Sequence, residues 1–196
     1  MSDPVATSKL KKLWQVLRSQ SASFSLLALV GGGFIAGAIF WGGFNFVLNA
    51  TNTEAFCTGC HSMKINYEEY KKTIHFSSRT GVRATCPDCH VPKEFIPKML
   101  RKIEARADVW AHLTGKVNTP EKFAAHRLEM AEREWARMKA SGSSTCKSCH
   151  TYEGMSETIQ DPAAVKKHAM AAKPDSGKSC IDCHKGIAHE LPKGAD

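Results

Sequence analysis

A chain of 196 residues has room for one modest domain plus an anchor, which excludes a multidomain assembly. Its formal charge of +8 and pI ≈ 9.1 are the usual footprint of a nucleic-acid binder. Eight cysteines and nine histidines in so short a chain point elsewhere, to metal or cofactor chemistry.

Residues 1–22 form a basic stub, in which Lys9, Lys11, Lys12 and Arg18 outweigh Asp3. No charged residue then occurs from Ser19 to Thr53, and Phe24 to Leu48 is the most apolar run. About 20 helical residues cross a hydrocarbon core, so residues 23–48 read as an uncleaved transmembrane anchor. A cleaved signal peptide would have a shorter apolar stretch ending in a small-x-small site. Trp41 sits where an interfacial aromatic belongs. The basic stub stays cytoplasmic, so residues 49–196 lie in the bacterial periplasm and the chain crosses the inner membrane once. Gly33-Phe-Ile-Ala-Gly37 has the small-xxx-small spacing that admits helix pairing and a homodimer. Glycine is also common in membrane helices without that role.

Four copies of Cys-x-x-Cys-His follow: Cys57–His61, Cys86–His90, Cys146–His150 and Cys180–His184. This pattern attaches c-type haem. Two thiols add across the vinyl groups, and the next residue brings its imidazole to the iron. The thiol pairs are Cys57 with Cys60, Cys86 with Cys89, Cys146 with Cys149, and Cys180 with Cys183. All eight cysteines are used, leaving none for a disulfide. Zinc is the rival, but a zinc ribbon does not need His directly after every second Cys. Four haems bring about −8 through their propionates, which offsets the +8 of the chain and removes the case for DNA or RNA. A domain of this size cannot build four haem pockets and a separate apolar core, so the porphyrins are the core. The apo chain is then expected to be largely unfolded. The expected architecture is mainly α: a single N-terminal transmembrane helix plus a small haem-packed multihaem domain.

The motifs fall into two pairs, 29 and 34 residues apart, as in a duplicated dihaem unit. The halves span about 51–97 and 141–196 and are linked by helices over 98–140. His61, His90, His150 and His184 supply one axial ligand each. Five histidines remain: His75, His112, His126, His168 and His189. His189 follows His184 by only five residues, so it serves another haem. The first half has no counterpart near Lys93 to Phe95. His75, His168 and His189 are therefore three distal ligands for four haems, and one haem lacks a distal His. Met63, two residues after His61, points to the first haem. Either Met63 ligates that iron instead of His61, or it packs against the porphyrin.

Lys98 to Leu113 reads as one helix, with an apolar stripe of Met99, Leu100, Ile103, Ala107 and Trp110. Lys98, Arg101, Lys102 and Arg106 make it basic, as suits an anionic membrane surface or plain packing on haem. Arg101, Asp108 and His112 share the opposite face. A carboxylate and a neutral imidazole can take the protons of quinol oxidation while a cation holds the quinone oxygen. The alternative is a solvated polar face. A second helix runs from Pro120, capped by Thr119, to Ala140, and stops near Gly142. Ala124, Leu128, Ala131, Trp135 and Met138 form its expected core stripe, and Phe123, His126 and Met130 a second patch. His126 reads as a packed histidine rather than a ligand.

With anchor and motifs in view, the chain resembles the NapC/NirT family of membrane-anchored tetrahaem cytochromes, with its NrfH-like and CymA-like relatives. The marks are Phe40-Trp-Gly-Gly-Phe-Asn45, Asn52-Thr-Glu-Ala-Phe-Cys57, the stretch Gly81 to Pro92, and Cys180 to His189. The resemblance implies that His189 caps haem 2, His75 haem 4 and His168 haem 3. It also implies a quinol site near haem 1, with Asp108 as its acidic residue and Lys102 or Arg101 as its basic partner, and Met63 as the ligand of haem 1. NapC-type members often carry His where Lys93 stands, considered a distal ligand there. Its absence here fits an open haem 1 and a NirT-like member.

The function so implied is quinol oxidation, of menaquinol or ubiquinol, at the membrane. Electrons then pass to a periplasmic reductase, nitrate reductase first and nitrite reductase next. One alternative is a passive conduit fed by another membrane complex, with no quinol site. Another is a terminal reductase binding a small oxidised nitrogen species at the open haem.

Overall fold

The computed structural model describes residues 11–12, 14–15 and 23–195. Most of the basic stub, including Lys9 and Arg18, lies outside the described residues. The chain divides into two compact units, Met1–Leu48 and Asn49–Asp196.

The first unit carries the helix Leu26–Ala50. Ser25 starts it by accepting the Ala28 N–H on Oγ at 3.2 Å. No side chain in it is charged and none is buried. Among the described residues it is the one helix long and apolar enough to cross a membrane. Asn45, the one amide within the apolar run, bonds back to the Trp41 carbonyl at 2.8 Å, which satisfies one of its two donors within the helix.

The second unit is helical, with no strand among its described residues. The four motifs lie on short capped turns: Glu54–Thr58 with a 3-10 turn His61–Met63, then Cys86–His90, Ser144–Lys147 and a 3-10 turn Cys180–Asp182. The shared Asp of the second and fourth motifs has a structural cause. Asp88 accepts from the Thr85 N–H at 2.8 Å, and Asp182 from the Ser179 N–H at 2.8 Å, each closing a capping box. Each carboxylate also holds a lysine, Lys93 on Asp88 and Lys139 on Asp182 at 2.7 Å.

The expected helix from Lys98 to Leu113 is two helices, Phe95–Glu104 and Arg106–Leu113. It starts earlier because Pro97 is tolerated in a first turn. It breaks because Asp108 and Val109 both donate to the Ala105 carbonyl, each at 3.1 Å, which tightens the turn there. Leu100, Ile103 and Trp110 of the expected stripe are exposed. Pro120–Ala140 is a helix as expected, with Thr119 accepting the Lys122 N–H at 3.3 Å. Gly142, at φ +59°, ends it, and the Ser143 N–H bonds back to the Met138 carbonyl at 2.7 Å. Its most buried face is turned somewhat from the expected stripe, of which Leu128, Ala131 and Trp135 are half-buried. Phe123 and Met138 are buried but Ala124 is exposed. Arg127 and Glu134 share the Phe123 and Met138 face, and their partners on other segments rotate the helix toward them. Only five hydrophobic side chains are buried among the described residues: Tyr70, Val117, Phe123, Met138 and Ile181.

Candidate haem centre

The cysteine pairs lie in chain order. Burial pushes the Cys86 thiol up to about 11, with neighbouring Cys57 adding to it. Burial does the same to Cys89, also to about 11, with Cys146 adding. Cys146 is raised by burial and then by Cys180. Each motif is thus next to the one after it. Ser143 helps hold the last two together. Its backbone is left-handed at φ +56°, it is fully buried, and its Oγ accepts the Ile181 N–H at 3.3 Å.

The eight thiols are all free, as haem attachment requires, but they are not equivalent as the shared motif implies. Cys57, Cys60, Cys86, Cys89, Cys146 and Cys180 are half-buried, whereas Cys149 and Cys183 are exposed. The Cys149 N–H bonds the Cys146 carbonyl at 3.1 Å, and the Cys183 N–H the Cys180 carbonyl at 3.2 Å. The Ser148 hydroxyl lies 3.9 Å from the Cys149 sulfur. Cys60 differs again: its backbone is extended, and its carbonyl accepts the Met63 N–H at 3.0 Å to start the turn that carries His61.

Three lone histidines face three motif histidines. Ring centroids are 6.1 Å apart for His90 and His189, 6.2 Å for His75 and His150, and 6.0 Å for His168 and His184. Two metal–nitrogen bonds of ~2 Å plus two ring half-widths span ~6 Å, so each pair has the spacing to clasp one iron. The donor set therefore fits haem. Among the described residues no three His, Cys, Asp or Glu side chains gather as a zinc site requires. The His90–His189 pair is the one the resemblance implies, but the other two are exchanged. His75 meets the third motif and His168 the fourth. The loop carrying His75 reaches across to the other half, whereas the helix Pro162–Ala171 turns His168 back within its own half. Among the described residues His61 has no lone histidine facing it. His112 bonds Ser62, and His126 bonds the Lys122 carbonyl of its own helix.

Specific clamps aim these rings. Tyr70 donates to the carbonyls of Ala84 and, at 3.4 Å, His75, closing the His75 loop. Arg83 from the same loop lies 4.1 Å over the Phe76 ring and pairs with Glu54 at 2.5 Å. Burial leaves the His75 imidazole below its ordinary pKa, with His150 adding to the effect. His168 is fixed by Gln160 at 2.5 Å from Nδ1. His189 is reached through Gly186, at φ +77°, where a Cβ would meet Leu191 at 3.1 Å. Arg127 then grips Glu69 with two bonds, 2.7 and 2.6 Å, and the Glu190 carbonyl at 2.7 Å. Glu69 also accepts the Glu190 N–H at 3.0 Å. Burial pushes Glu69 up, but these bonds outweigh it and hold its carboxyl below the usual range. Glu134 accepts from His90 Nδ1 at 2.8 Å and from Arg137 Nε at 3.0 Å. Burial is again outweighed, and the Glu134 carboxyl stays far below the usual range. None of Glu69, Arg127, Glu134, Arg137 or Gln160 was singled out by sequence. The i, i+3 pair Glu134–Arg137 on an otherwise packed face was the available signal.

The first motif lies against the helix pair. Lys102 bonds the Thr51 hydroxyl at 2.9 Å and carbonyl at 3.2 Å, close enough to Cys57 to oppose the rise that burial gives that thiol. Burial lowers the pKa of Lys102 itself, with Cys57 opposing. His112 Nδ1 is 3.2 Å from the hydroxyl of buried Ser62, next to His61. Asp108 pairs with Arg133 at 2.7 Å and Arg101 at 3.6 Å. Arg101 and Asp108 thus stay together, while His112 turns to the motif. Met63 is half-buried at the start of the helix Lys64–Tyr70. Lys93 is engaged with Asp88.

The three imidazole pairs would each hold a haem iron from both sides, and haem so held would supply electron transfer. The class is that of membrane-anchored c-type cytochromes with covalently bound haem. A profile of the NapC/NirT cytochrome c family, N-terminal region, matches residues 19–194, and the chain belongs to that family. It is 53% identical over 180 residues to the denitrification system component NirT of Stutzerimonas stutzeri, covering 91% of this chain and 89% of the relative. It is 50% identical over 185 residues to the cytochrome c-type protein NapC of Escherichia coli, covering 93% and 90%. Against the cytochrome c-type protein TorC of Escherichia coli it is 47% identical over 184 residues, 93% of this chain but 47% of that longer protein. No solved structure is a significant match.

Proposed function

We propose that this cytochrome carries four haems and takes its electrons from quinol at the first motif. It delivers them to a periplasmic reductase, nitrate reductase first and nitrite reductase next. The observation that carries the reading is the pairing of three motif histidines and not the fourth. Each haem is held by its own thiol pair, the exposed Cys149 and Cys183 and the half-buried Cys60 included. His61 or Met63 ligates the first haem, beside Lys102, Asp108 and His112. The haems supply the one-electron relay. Lys102, half-buried beside Cys57, holds a quinone oxygen, with Arg101 as the alternative. Asp108 and His112 accept the protons that leave with the electrons. His189, His75 and His168 cap the second, third and fourth haems. The helix Leu26–Ala50 supports an anchor in the inner membrane, and the basic residues before it support a cytoplasmic N-terminus. The likeness to a denitrification system component supports a nitrogen-oxide reductase as acceptor.

The test is anaerobic mixing of detergent-purified holoprotein with menaquinol or ubiquinol, following the α-band of reduced haem. Fast reduction that Asp108→Asn slows at least tenfold is the expected outcome. A second reading, a passive conduit, draws on the two ion pairs that already occupy Asp108. Under it neither quinol reduces the protein, although dithionite reduces every haem.

A further inference from the structure

Among the described residues His90 is the one motif histidine whose ring makes a side-chain hydrogen bond, and its acceptor is a carboxylate. Glu134 comes from the middle of the long helix Pro120–Ala140, 44 positions from His90 in sequence. Its side chain is 21% exposed, and so is that of Arg137, which bonds both of its oxygens. Arg137 also reaches the His90 carbonyl at 3.3 Å, so the same helix turn holds the backbone and the ring of one ligand. The other aimed rings differ. Among the described residues the buried Nδ1 of His75 has no hydrogen-bond partner, the His189 ring has the Asn66 backbone beside it, and the Nδ1 of His168 meets the neutral amide of Gln160.

A carboxylate on Nδ1 has two consequences for an imidazole. It fixes the tautomer with the proton on Nδ1, which frees Nε2 for a metal. It also draws that proton toward oxygen, making the ring a stronger donor and favouring the more highly charged metal. An anion near the iron acts in the same direction through its charge.

We propose that Glu134 is a positioning residue for the second haem, orienting His90 and depressing the reduction potential of that haem through the Nδ1 bond. Arg137 moderates the effect by neutralising part of the carboxylate charge. The second step of the relay is thereby tuned from the linking helix rather than from either dihaem half. The inference rests on the proposed haem at the second motif, whose presence is checked separately by mass analysis of the peptide carrying Cys86 and Cys89.

The experiment is a mediated potentiometric titration of the holoprotein, in which each ferric iron takes one electron from the mediator, with low-spin electron paramagnetic resonance of the oxidised state. Glu134→Gln keeps an oxygen acceptor for His90 and removes the charge. It should raise one midpoint of the four, leave three in place, and shift one low-spin signal. Arg137→Gln leaves the carboxylate unneutralised and should move the same midpoint downward. Glu132→Gln, a charge removed from the same helix without contact to His90, should move none. Four unmoved midpoints in fully loaded Glu134→Gln protein overturn the proposal. If that variant does not assemble, an unmoved midpoint in Arg137→Gln overturns it. A second-motif peptide without haem sinks the four-haem reading along with it.

Discussion

Replacing Arg127 with alanine should release His189 from the second haem. Arg127 spans three segments: Glu69 at the end of the Lys64–Tyr70 helix, its own long helix, and Glu190 beside His189. The variant loses three charge-assisted bonds and strands a carboxylate whose side chain is only 8% exposed. Breaking a fully buried pair from one side costs ~3–5 kcal/mol; since the arginine keeps 18% of its side-chain exposure, we take ~3 kcal/mol. That is about two powers of ten in the equilibrium between docked and released C-terminal segment. The assay is carbon monoxide binding to dithionite-reduced holoprotein. The parent should take up carbon monoxide only at the first haem, and the variant at one more site, with a lower denaturation midpoint. Adding Glu69→Gln should restore part of the loss, because the stranded charge is gone. Unchanged carbon monoxide stoichiometry with a loss under ~1 kcal/mol would refute the reasoning, since a solvent-screened ion pair contributes no more than that.

Asp182 tests the capping boxes through pH. Lys139 and the Ser179 N–H hold its pKa down to about 2, below its ordinary value of ~3.9. The stabilisation is therefore complete above pH ~4 and is lost as pH falls through about 2. The difference in denaturation midpoint between Asp182→Asn and the parent should shrink over that window, and a pH-independent difference would remove the linkage. Gly186→Ala should cost ~1–2 kcal/mol from its left-handed backbone, plus the clash with Leu191 at 3.1 Å. Gly177→Ala, at φ +61° with nothing within 4 Å, carries only the backbone part. Equal losses in the two variants would exclude the close approach as a cause.

The chemistry-bearing residues were legible in the sequence because haem attachment is local: five consecutive positions carry it. The unequal exposure of the thiols was not, since Cys89 and Cys149 hold the same place in the motif and differ only in what packs around them. The anchor was legible because a membrane span is a property of one segment. The three lone histidines that face motif histidines could be named from the sequence, but the segments that bring them there are not local. Which motif His75 faces depends on how the Tyr70 clamp closes its loop, and which one His168 faces depends on the turn before Pro162. The residues behind the ligands were harder still. Glu134 and Arg127 have the composition of a solvated helix face, and only their partners 44 and 58 positions away turn that face inward. The capping boxes lay in plain view as Thr85-x-x-Asp88 and Ser179-x-x-Asp182, the usual signature of a helix start.

These clamps explain how so little apolar core suffices. Five buried hydrophobic side chains cannot set the positions of four motifs and three distal rings. Arg83–Glu54 fastens the loop of His75 to the first motif, and Lys139–Asp182 fastens the fourth motif to the long helix. Arg127–Glu69 fastens His189, and Arg137–Glu134 fastens His90. The two more exposed pairs, Arg83–Glu54 and Lys139–Asp182, add little free energy each, so stabilisation alone does not account for the distribution. Each lies one or two contacts from an imidazole or a thiol pair, where direction matters more than energy. Polar clamps specify where a ring points, while bulk burial does not. The protein therefore spends its charged residues on ligand geometry and leaves the bulk of folding to the haems it attaches.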